Sequence, residues 1–404
     1  MSTGVLAAVK YGKQTWLVGV FYLCCLFPFI SPVPINTDTQ PLFLVFAGII
    51  FAHRAFYVGW HAGVYLLLSV SVLSLIYINP SLEYTVDAGK AVSIVAGVLI
   101  FIAATRINDQ QAYQFVKKAA LIYFFYSCLI FLNSSFFLSL QEHFVRGVNV
   151  ADFSNLEYRG APALATEPGL LGGLLVFLLI QLQYYGEKLN ASAKDMAAHG
   201  MVIILTIFMT KSGTGYLYLL IFLMLTYGHW IARNRFVLVC LLVAVLIFLA
   251  LVAPVVANLE LNNRGVEILV TLASGGSLDD DTSVLKRLYD LRIGIESLFE
   301  YPFGVGINGV SSAVNELAIR HQLIRPNDSA GDISLVSGLS FYLVSYGLLG
   351  LLFLVYLFFF LSRAPMSHKV FAFIYLSASY SPAFPAIWIL LSQTKNKPVS
   401  LRFD

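Results

Sequence analysis

The chain has 404 residues, 58% of them hydrophobic and only 12% charged, with a formal net charge of +3 and a mean hydropathy of +0.79. Soluble domains carry about 25% charged residues, so this composition excludes that class and predicts a polytopic membrane protein. The four cysteines all lie inside apolar runs. That placement is typical of buried apolar side chains and not of disulfides or metal ligands.

Apolar runs of roughly the length that a spanning helix needs recur along the chain. They cover residues 16–31, 41–58, 62–79, 88–105, 116–138, 168–185, 198–210, 212–228, 236–257 and 335–361. A last apolar region, 370–392, contains Pro382 and Pro385 and predicts either one broken span or a short helical hairpin. We therefore predict an all-α fold with about 12 transmembrane helices, the first of them retained and not cleaved as a signal peptide.

Lysine and arginine fall unevenly on the two sides of this array. With the N-terminus inside, the inner loops collect most of the basic residues, whereas the short outer loops hold only Lys90 and Lys211. The positive-inside rule thus predicts that both termini are cytoplasmic. The predicted segments are N-terminal helices 1–138, a first outer loop 139–167, central helices 168–257, a large outer loop 258–334, and C-terminal helices with a cytoplasmic tail 335–404.

The larger outer loop contains the stretch SVLKRLYDLRIGIESLFEYP, whose apolar residues recur at helical spacing. Candidate N-caps precede it and Pro302 ends it, so we predict an amphipathic helix on or near the outer membrane surface. The following sequence GVGING, 304–309, matches G-x-G-x-x-G, but no βαβ unit is predicted around it. It indicates a flexible turn or, alternatively, a set of backbone N–H groups that line an anion site.

Arginines in the two outer loops are candidates for binding phosphate, because the guanidinium group is bidentate and always charged. Arg287 and Arg292 lie in the amphipathic stretch, and Arg264 lies earlier in the same loop. Arg159 stands nine residues before Pro168, at the start of a predicted spanning helix. The alternative is that these side chains are solvated or contact lipid headgroups.

Two further charges lie at predicted helix ends on the outer side. Glu167 precedes Pro168 in ATEPG, a pattern typical of helix initiation, where a carboxylate complements the helix dipole. The alternative is a functional carboxylate that orients Arg159 or takes a proton from an acceptor hydroxyl. Lys211 lies in the tight turn TKSGTG, whose small residues predict close helix packing. The alternative interpretation is that the Lys211 ammonium group points at the outer cavity and adds positive charge there.

These stretches, taken in order, resemble a known family. The stretches are ATEPG after an arginine, KSGTG at an outer turn, DTSVLKR with YPFGVGING, and SGLSFYLVSYGLLGLL. Together they look like the Wzy-type polymerases of O-antigen and exopolysaccharide repeat units, and like the related O-antigen ligases. The resemblance covers about 155–362. It implies a multi-pass, GT-C-like glycosyltransferase of the bacterial inner membrane that acts in lipopolysaccharide biosynthesis. Its periplasmic site would need no cofactor, metal, nucleotide sugar or nucleic acid.

The resemblance also implies substrates and partners. The enzyme would join undecaprenyl-pyrophosphate-linked repeat units, transferring the growing chain to the non-reducing end of a new unit. Inner-membrane lipid surrounds it, and a Wzz-type chain-length regulator is a candidate partner. Arg159 and Arg287 would bind the pyrophosphate. Glu167 would be the carboxylate of the family's sequence motif. Further candidates for stabilising the negative charge would be Lys211, Arg292 and Arg264.

One departure from the ligase pattern favours a polymerase. Ligases carry a His-Asn pair shortly before the final helix turn, whereas this chain reads HQLIRPNDSAGDIS there. The base therefore stays open among Glu167, His321, Asp328 and Asp332. Two alternatives remain: a ligase or other lipid-linked glycan transferase, and a non-enzymatic flippase or transporter. A transporter would place charge inside the predicted spans, where this chain has almost none.

Overall fold

In a computed structural model of the chain, the described residues are 16–31, 42–55, 88–145, 160–233, 282–323, 335, 337–378 and 381–394. Over these ranges the regular secondary structure is helical, and the β contact found there is an isolated antiparallel bridge between Ile30 and Val145. The prediction of an all-α protein is confirmed for the part of the chain that the structure describes.

The helices, in chain order, are α1 (Trp16–Leu26), α2 (Leu42–Ala55), α3 (Ala88–Ala104), α4 (Asp109–Leu132), α5 (Ser134–Glu142), α6 (Pro168–Lys188), α7 (Ala193–Met209), α8 (Gly213–Arg233), α9 (Thr282–Glu300), α10 (Val310–Arg320), α11 (Gly338–Tyr346), α12 (Leu348–Val355), α13 (Met366–Ser377) and α14 (Pro385–Ser392). A π-helical turn, Tyr356–Leu361, follows α12.

Two described helices, α4 and α6, are long and apolar enough to cross a membrane by length and composition. Several shorter helices are apolar as well, among them α1 and α8. The predicted spans 62–79 and 236–257 lie outside the described residues. The number of spans, the GT-C arrangement and the sidedness of the loops therefore stay predictions.

The chain divides into two compact units. The central unit comprises Phe29–Ile35 and Asp109–Asp280, and the terminal unit comprises Met1–Pro28, Asn36–Asn108 and Asp281–Asp404. In the central unit, α6 is buried from Leu171 to Leu182 because α4, α7 and α8 pack around it. A helix enclosed in this way is apolar on all sides, which explains why its sequence shows no amphipathic pattern.

A polar cluster ties helices of the central unit together at the end remote from the start of α6. Asp195 on α7 accepts hydrogen bonds from the Tyr113 hydroxyl and the Lys117 ammonium group of α4, each at 2.9 Å. His199 Nδ1 lies 3.2 Å from the same carboxylate. This is the end that the charge pattern predicts to be cytoplasmic.

In the terminal unit, α9 confirms the predicted helix, but its buried face carries polar and small residues besides the apolar Ile293. It packs against α11 at Gly294, where a Cβ atom would lie 2.9 Å from the Ser340 Cα. Asp290, a turn before Gly294, is fully buried, whereas Leu288 and Ile295 are 56% and 52% exposed. Close backbone approach at glycine has overridden the apolar pattern, which leaves an exposed apolar face whose contact with a membrane stays a prediction.

The predicted span 335–361 is not one continuous helix. α11 ends at Tyr346, Gly347 adopts a φ of +58°, and α12 starts at Leu348. The chain bends so sharply that a Cβ atom on Gly350 would lie 2.5 Å from the Tyr342 carbonyl oxygen. At 1.5 Å per residue, α11 is about 14 Å long and α12 with its π-helical continuation to Leu361 is about 20 Å long, so each is shorter than the roughly 30 Å core of a bilayer.

The last apolar region, 370–392, forms two helices. α13 and α14 pack against each other, and the Trp388 indole N–H donates to the Pro382 carbonyl in the connecting turn at 2.6 Å. Of the two sequence-based alternatives, this favours the short helical hairpin over one broken span. Pro385 opens α14, a position where its missing N–H costs nothing.

Candidate functional site

The first candidate site is the loop before α6, which packs on the turn between α7 and α8. The Ala161 N–H donates to the Met209 carbonyl at 3.1 Å. Gly160 has a φ of +75°, and a Cβ atom there would lie 2.9 Å from the Lys211 nitrogen and clash with the Thr210 carbonyl. Glycine is required at this position, because both the backbone conformation and the space exclude a side chain.

The interior of this loop is buried and conformationally strained. Ala163 and Leu164 have φ values of 23° and 44°, and the two residues are 0% and 5% exposed. Each non-glycine residue in such a conformation costs about 1–3 kcal/mol, so the surroundings must hold it in place. Gln141 on α5 is fully buried and donates from Nε2 to the Ala165 carbonyl at 2.8 Å. Strain held in this way is typical of functional loops.

Lys211 lies in the turn against which this loop packs. It is half-buried and has a φ of +47°. The turn is fixed by two local hydrogen bonds, from the Ser212 N–H to Thr210 Oγ1 and from the Gly215 N–H to Ser212 Oγ, each 3.3 Å. Close packing through the small residues is confirmed as well, because Gly215 lies directly against Gly172 of α6. Arg159, which precedes Gly160, lies outside the described residues.

Glu167 occupies the N-cap position of α6, with Pro168 in the first turn. Helix initiation at ATEPG is therefore confirmed. Among the described residues, however, the Glu167 side chain makes no capping hydrogen bond, and it is exposed. Its carboxylate lies at the positive end of the helix dipole and can also contact a substrate. Neither of the two interpretations of Glu167 excludes the other.

The second candidate site lies on α9 in the terminal unit. Arg287 is half-buried, and Asp290, one turn along, is completely buried. Sequence reasoning missed Asp290, although its spacing from Gly294 and Ser297 marks the small and polar face that packs inward. Arg292 has a 59% exposed side chain and forms an i,i+4 pair with Glu296 at 3.7 Å. An exposed pair of this kind contributes little to stability.

The third candidate site joins the C-terminal ends of α9 and α10. His321 Nε2 lies 2.8 Å from Glu300 Oε1. Arg320 bridges Glu300 and Glu316, and the Tyr301 hydroxyl donates to Glu316 at 2.9 Å. Burial and the hydrogen bond to Glu316 raise the pKa of Tyr301 to about 12. Sequence reasoning selected His321 but missed both glutamates, because α10 was not predicted.

The GVGING segment is neither a flexible turn nor an open set of donors. The Gly304 N–H donates to the Tyr301 carbonyl, Val305 to the Val344 carbonyl and Gly306 to the Ser345 carbonyl, at 2.8–3.0 Å. Val305 is fully buried. Both sequence-based interpretations are therefore wrong for residues 304–306, since the Gly304 N–H closes a turn on Tyr301 and the Val305 and Gly306 N–H groups complete the backbone hydrogen bonding of α11.

The remaining candidates lie outside the described residues. They are Arg159, Arg264, Asp328 and Asp332. Their roles stay predictions. Within the described ranges, His, Cys, Asp and Glu side chains form no group of three that could hold a metal ion.

Comparison with known proteins identifies a relationship for the second half of the chain. Residues 199–355 match the family model described as O-antigen ligase, Wzy_C. The chain is thus related to the O-antigen ligases and Wzy-type proteins, which are membrane enzymes that process glycans. The matched segment includes Lys211, Arg287 and His321, whereas Arg159 and Glu167 precede it. Neither the curated proteins nor the solved structures include a match.

Proposed function

We propose that this protein is an O-antigen polymerase of the bacterial inner membrane, with both termini in the cytoplasm. It joins undecaprenyl-pyrophosphate-linked repeat units on the periplasmic side, moving the growing chain to the non-reducing end of a new unit. The observation that carries this proposal is the packing of the strained loop after Arg159 on the Lys211 turn. The loop that follows Arg159 and the turn that contains Lys211 meet at one end of the central unit, through the Ala161 hydrogen bond to Met209 and the close approach of Gly160 to Thr210.

The chemistry needs positive charge at the leaving group. The bond between C1 of the growing chain and the pyrophosphate oxygen breaks, and its electron pair leaves with the pyrophosphate. We assign the role of stabilising the charge that develops there to Arg159 and Arg287, with Lys211, Arg264 and Arg292 as weaker electrostatic candidates. The acceptor hydroxyl bonds to C1 through its oxygen and gives its proton to a base. Cations fixed in place before reaction lower this barrier without any reorganisation.

The base is one of the candidate carboxylates or the histidine. Glu167 is exposed at the start of α6, and His321 is held by Glu300. Asp328 and Asp332 are the other two candidates. A group of this kind contributes about 10²–10⁴-fold to the rate when it lies within hydrogen-bond reach of the acceptor hydroxyl.

The apolar surface of the described helices suits a lipid-linked substrate. Exposed apolar side chains follow one stripe of α4, at Ile122, Phe125, Leu129 and Leu132. In water a contiguous exposed stripe of this kind is unfavourable. It is compatible with surrounding inner-membrane lipid and with a polyprenyl tail lying along the protein. A Wzz-type chain-length regulator is a proposed partner in the same membrane.

The second candidate function is an O-antigen ligase, because that is the description of the matched family. Deleting the gene and analysing lipopolysaccharide on gels separates the two. A polymerase deletion leaves a single repeat unit on the core and removes the ladder of longer chains. A ligase deletion removes all O-antigen from the core, which would overturn the polymerase. Accumulation of repeat units that fail to reach the periplasm would instead indicate a flippase.

A further inference from the structure

The pair formed by Glu300 and His321 has the geometry of an oriented base. We propose that Glu300 is a positioning residue that holds His321 as the base of the polymerisation reaction; this inference rests on the proposed function. Glu300 Oε1 is 2.8 Å from His321 Nε2. An ionised carboxylate only accepts hydrogen bonds, so Nε2 carries the hydrogen, and in the neutral imidazole Nδ1 keeps its lone pair.

The chemistry of the step follows from this tautomer. Nδ1 takes the proton of the acceptor hydroxyl while the hydroxyl oxygen bonds to C1 and the pyrophosphate departs with the C1–O electron pair. The imidazolium that forms is stabilised by the Glu300 carboxylate and by its position after the last turn of α10, at the negative end of the helix dipole. It then loses the proton to water.

The surrounding cluster fixes Glu300. Arg320 contacts Glu300 Oε2, on the opposite oxygen from His321, and also contacts Glu316. The side chains of Glu300 and His321 are 20% and 24% exposed, so solvent reaches the pair without separating it. After His321 the chain turns at Gln322, whose φ is 55°. The imidazole is thus held at a turn on the surface, where a glycan hydroxyl can approach it.

The alternative is that the pair only ties α9 to α10. The chain offers a matched control for this alternative, because Glu316 belongs to the same cluster and contacts the same arginine but does not contact His321. Glu316→Gln weakens the junction between the two helices and leaves the Glu300–His321 pair intact. A purely structural role would give Glu300→Gln and Glu316→Gln the same effect on the rate.

The test is a double-mutant cycle on kcat for purified protein in proteoliposomes. The substrate is the undecaprenyl-pyrophosphate-linked repeat unit extracted from the deletion strain. We expect His321→Asn to lower kcat by about 100-fold or more. We expect Glu300→Gln to lower it by about tenfold or more, and the double variant to be no slower than His321→Asn alone, because residues that act as a unit are not additive. Glu316→Gln keeps kcat within about twofold.

Three outcomes would overturn the inference: wild-type kcat for His321→Asn, equal losses for Glu300→Gln and Glu316→Gln, or a loss for Glu300→Gln that is as large in the His321→Asn background. If Glu300→Gln does not fold, Glu300→Asp replaces it, and wild-type kcat there also contradicts the role. If the wild-type protein itself does not lengthen the glycan, the proposed function fails. If it does so and His321→Asn does too, only the inference fails.

Discussion

Gly172 of α6 and Gly215 of α8 face each other so closely that a Cβ atom on Gly172 would lie 2.6 Å from the Gly215 Cα. This contact sets the distance between two helices at the end where the Lys211 turn meets the loop after Arg159. Dispersion at such close approach stabilises helix pairs in lipid, where the hydrophobic effect does not act between helices. The distance between α6 and α8 at this candidate site therefore depends on glycine, which has no side chain, at both positions.

Gly172→Ala tests this dependence. The added methyl group overpacks the contact, so we expect a loss of about 1–3 kcal/mol of stability. The measurement is the thermal unfolding midpoint of the purified protein in detergent, together with the rate of glycan elongation. Gly228→Ala is the matched control, because nothing lies within 4 Å of its Cβ position. An equally stable Gly172→Ala protein would show that the contact is not tight.

Gln141 anchors the strained loop, so its replacement separates loop order from chemistry. Gln141→Leu leaves the buried Ala165 carbonyl without the donor seen at 2.8 Å. The expected cost is about 1–3 kcal/mol, with slower elongation because the cations are no longer held in position. Gln183→Leu is the control, because Gln183 is a half-buried glutamine whose amide donates to Glu187 on the same helix, α6. Unchanged elongation by Gln141→Leu would mean that the strained conformation does not serve the reaction.

Arg159→Ala and Arg287→Ala should abolish polymerisation without lowering the amount of protein in the membrane. Replacement by lysine should also give poor activity if the contact to phosphate is bidentate. Arg292→Ala is the comparison on the same helix, since that side chain is exposed and paired with Glu296. Ladders on lipopolysaccharide gels and immunoblots of membranes give both readouts. A wild-type ladder in either alanine variant removes that arginine from the site.

Asp195, at the opposite end of the central unit, makes the free energy of unfolding depend on pH. Hydrogen bonds from Lys117 and Tyr113 lower the pKa of Asp195 below its ordinary value of 3.8. Because the folded state holds the charged form more strongly, this stabilisation is present at neutral pH and is lost as the pH falls through the folded-state pKa. Asp195→Asn should lower the unfolding midpoint at pH 7, and its effect should disappear only below the folded-state pKa, which lies below 3.8.

The expected size of this effect at neutral pH is about 1 kcal/mol or less, because the side chain is 35% exposed and solvent screens it. Lys118→Gln, next to Lys117 on the exposed side of α4, should leave the pH dependence unchanged. A difference between Asp195→Asn and wild type that persists below the lowered folded-state pKa of Asp195 would assign the effect to packing.

Helix boundaries could be predicted where the residues at the boundary specify it themselves. The start of α6 follows from Pro168, and the extent of α9 follows from its apolar spacing and from Pro302. The buried face of α9 could not be predicted in the same way. It depends on the close approach of Ser340 to Gly294, which is a tertiary contact between positions far apart in sequence.

The break at Gly347 and the Glu300–His321 pair were not predicted either, because they too depend on tertiary contacts. The break at Gly347 lies in an apolar run where glycine usually marks helix packing, and it exists because Pro302 supplies an alternative acceptor. Glu300 and His321 are 21 residues apart, and their pairing depends on the short helix α10 between them. Neither Glu300 nor His321 lies in a sequence pattern that predicts a contact with the other.

The break at Gly347 also restricts residues 302–306. In an unbroken helix the carbonyls of Val344 and Ser345 would accept from residues 348 and 349; here they accept from Val305 and Gly306, and the Leu348 N–H donates to Pro302. Residues 302–306 thus replace a missing helical turn. The segment after α9 cannot open like a hinged lid while α11 stays folded. We expect the amide hydrogens of Val305 and Gly306 to exchange with solvent as slowly as those of α11, in one cooperative unit.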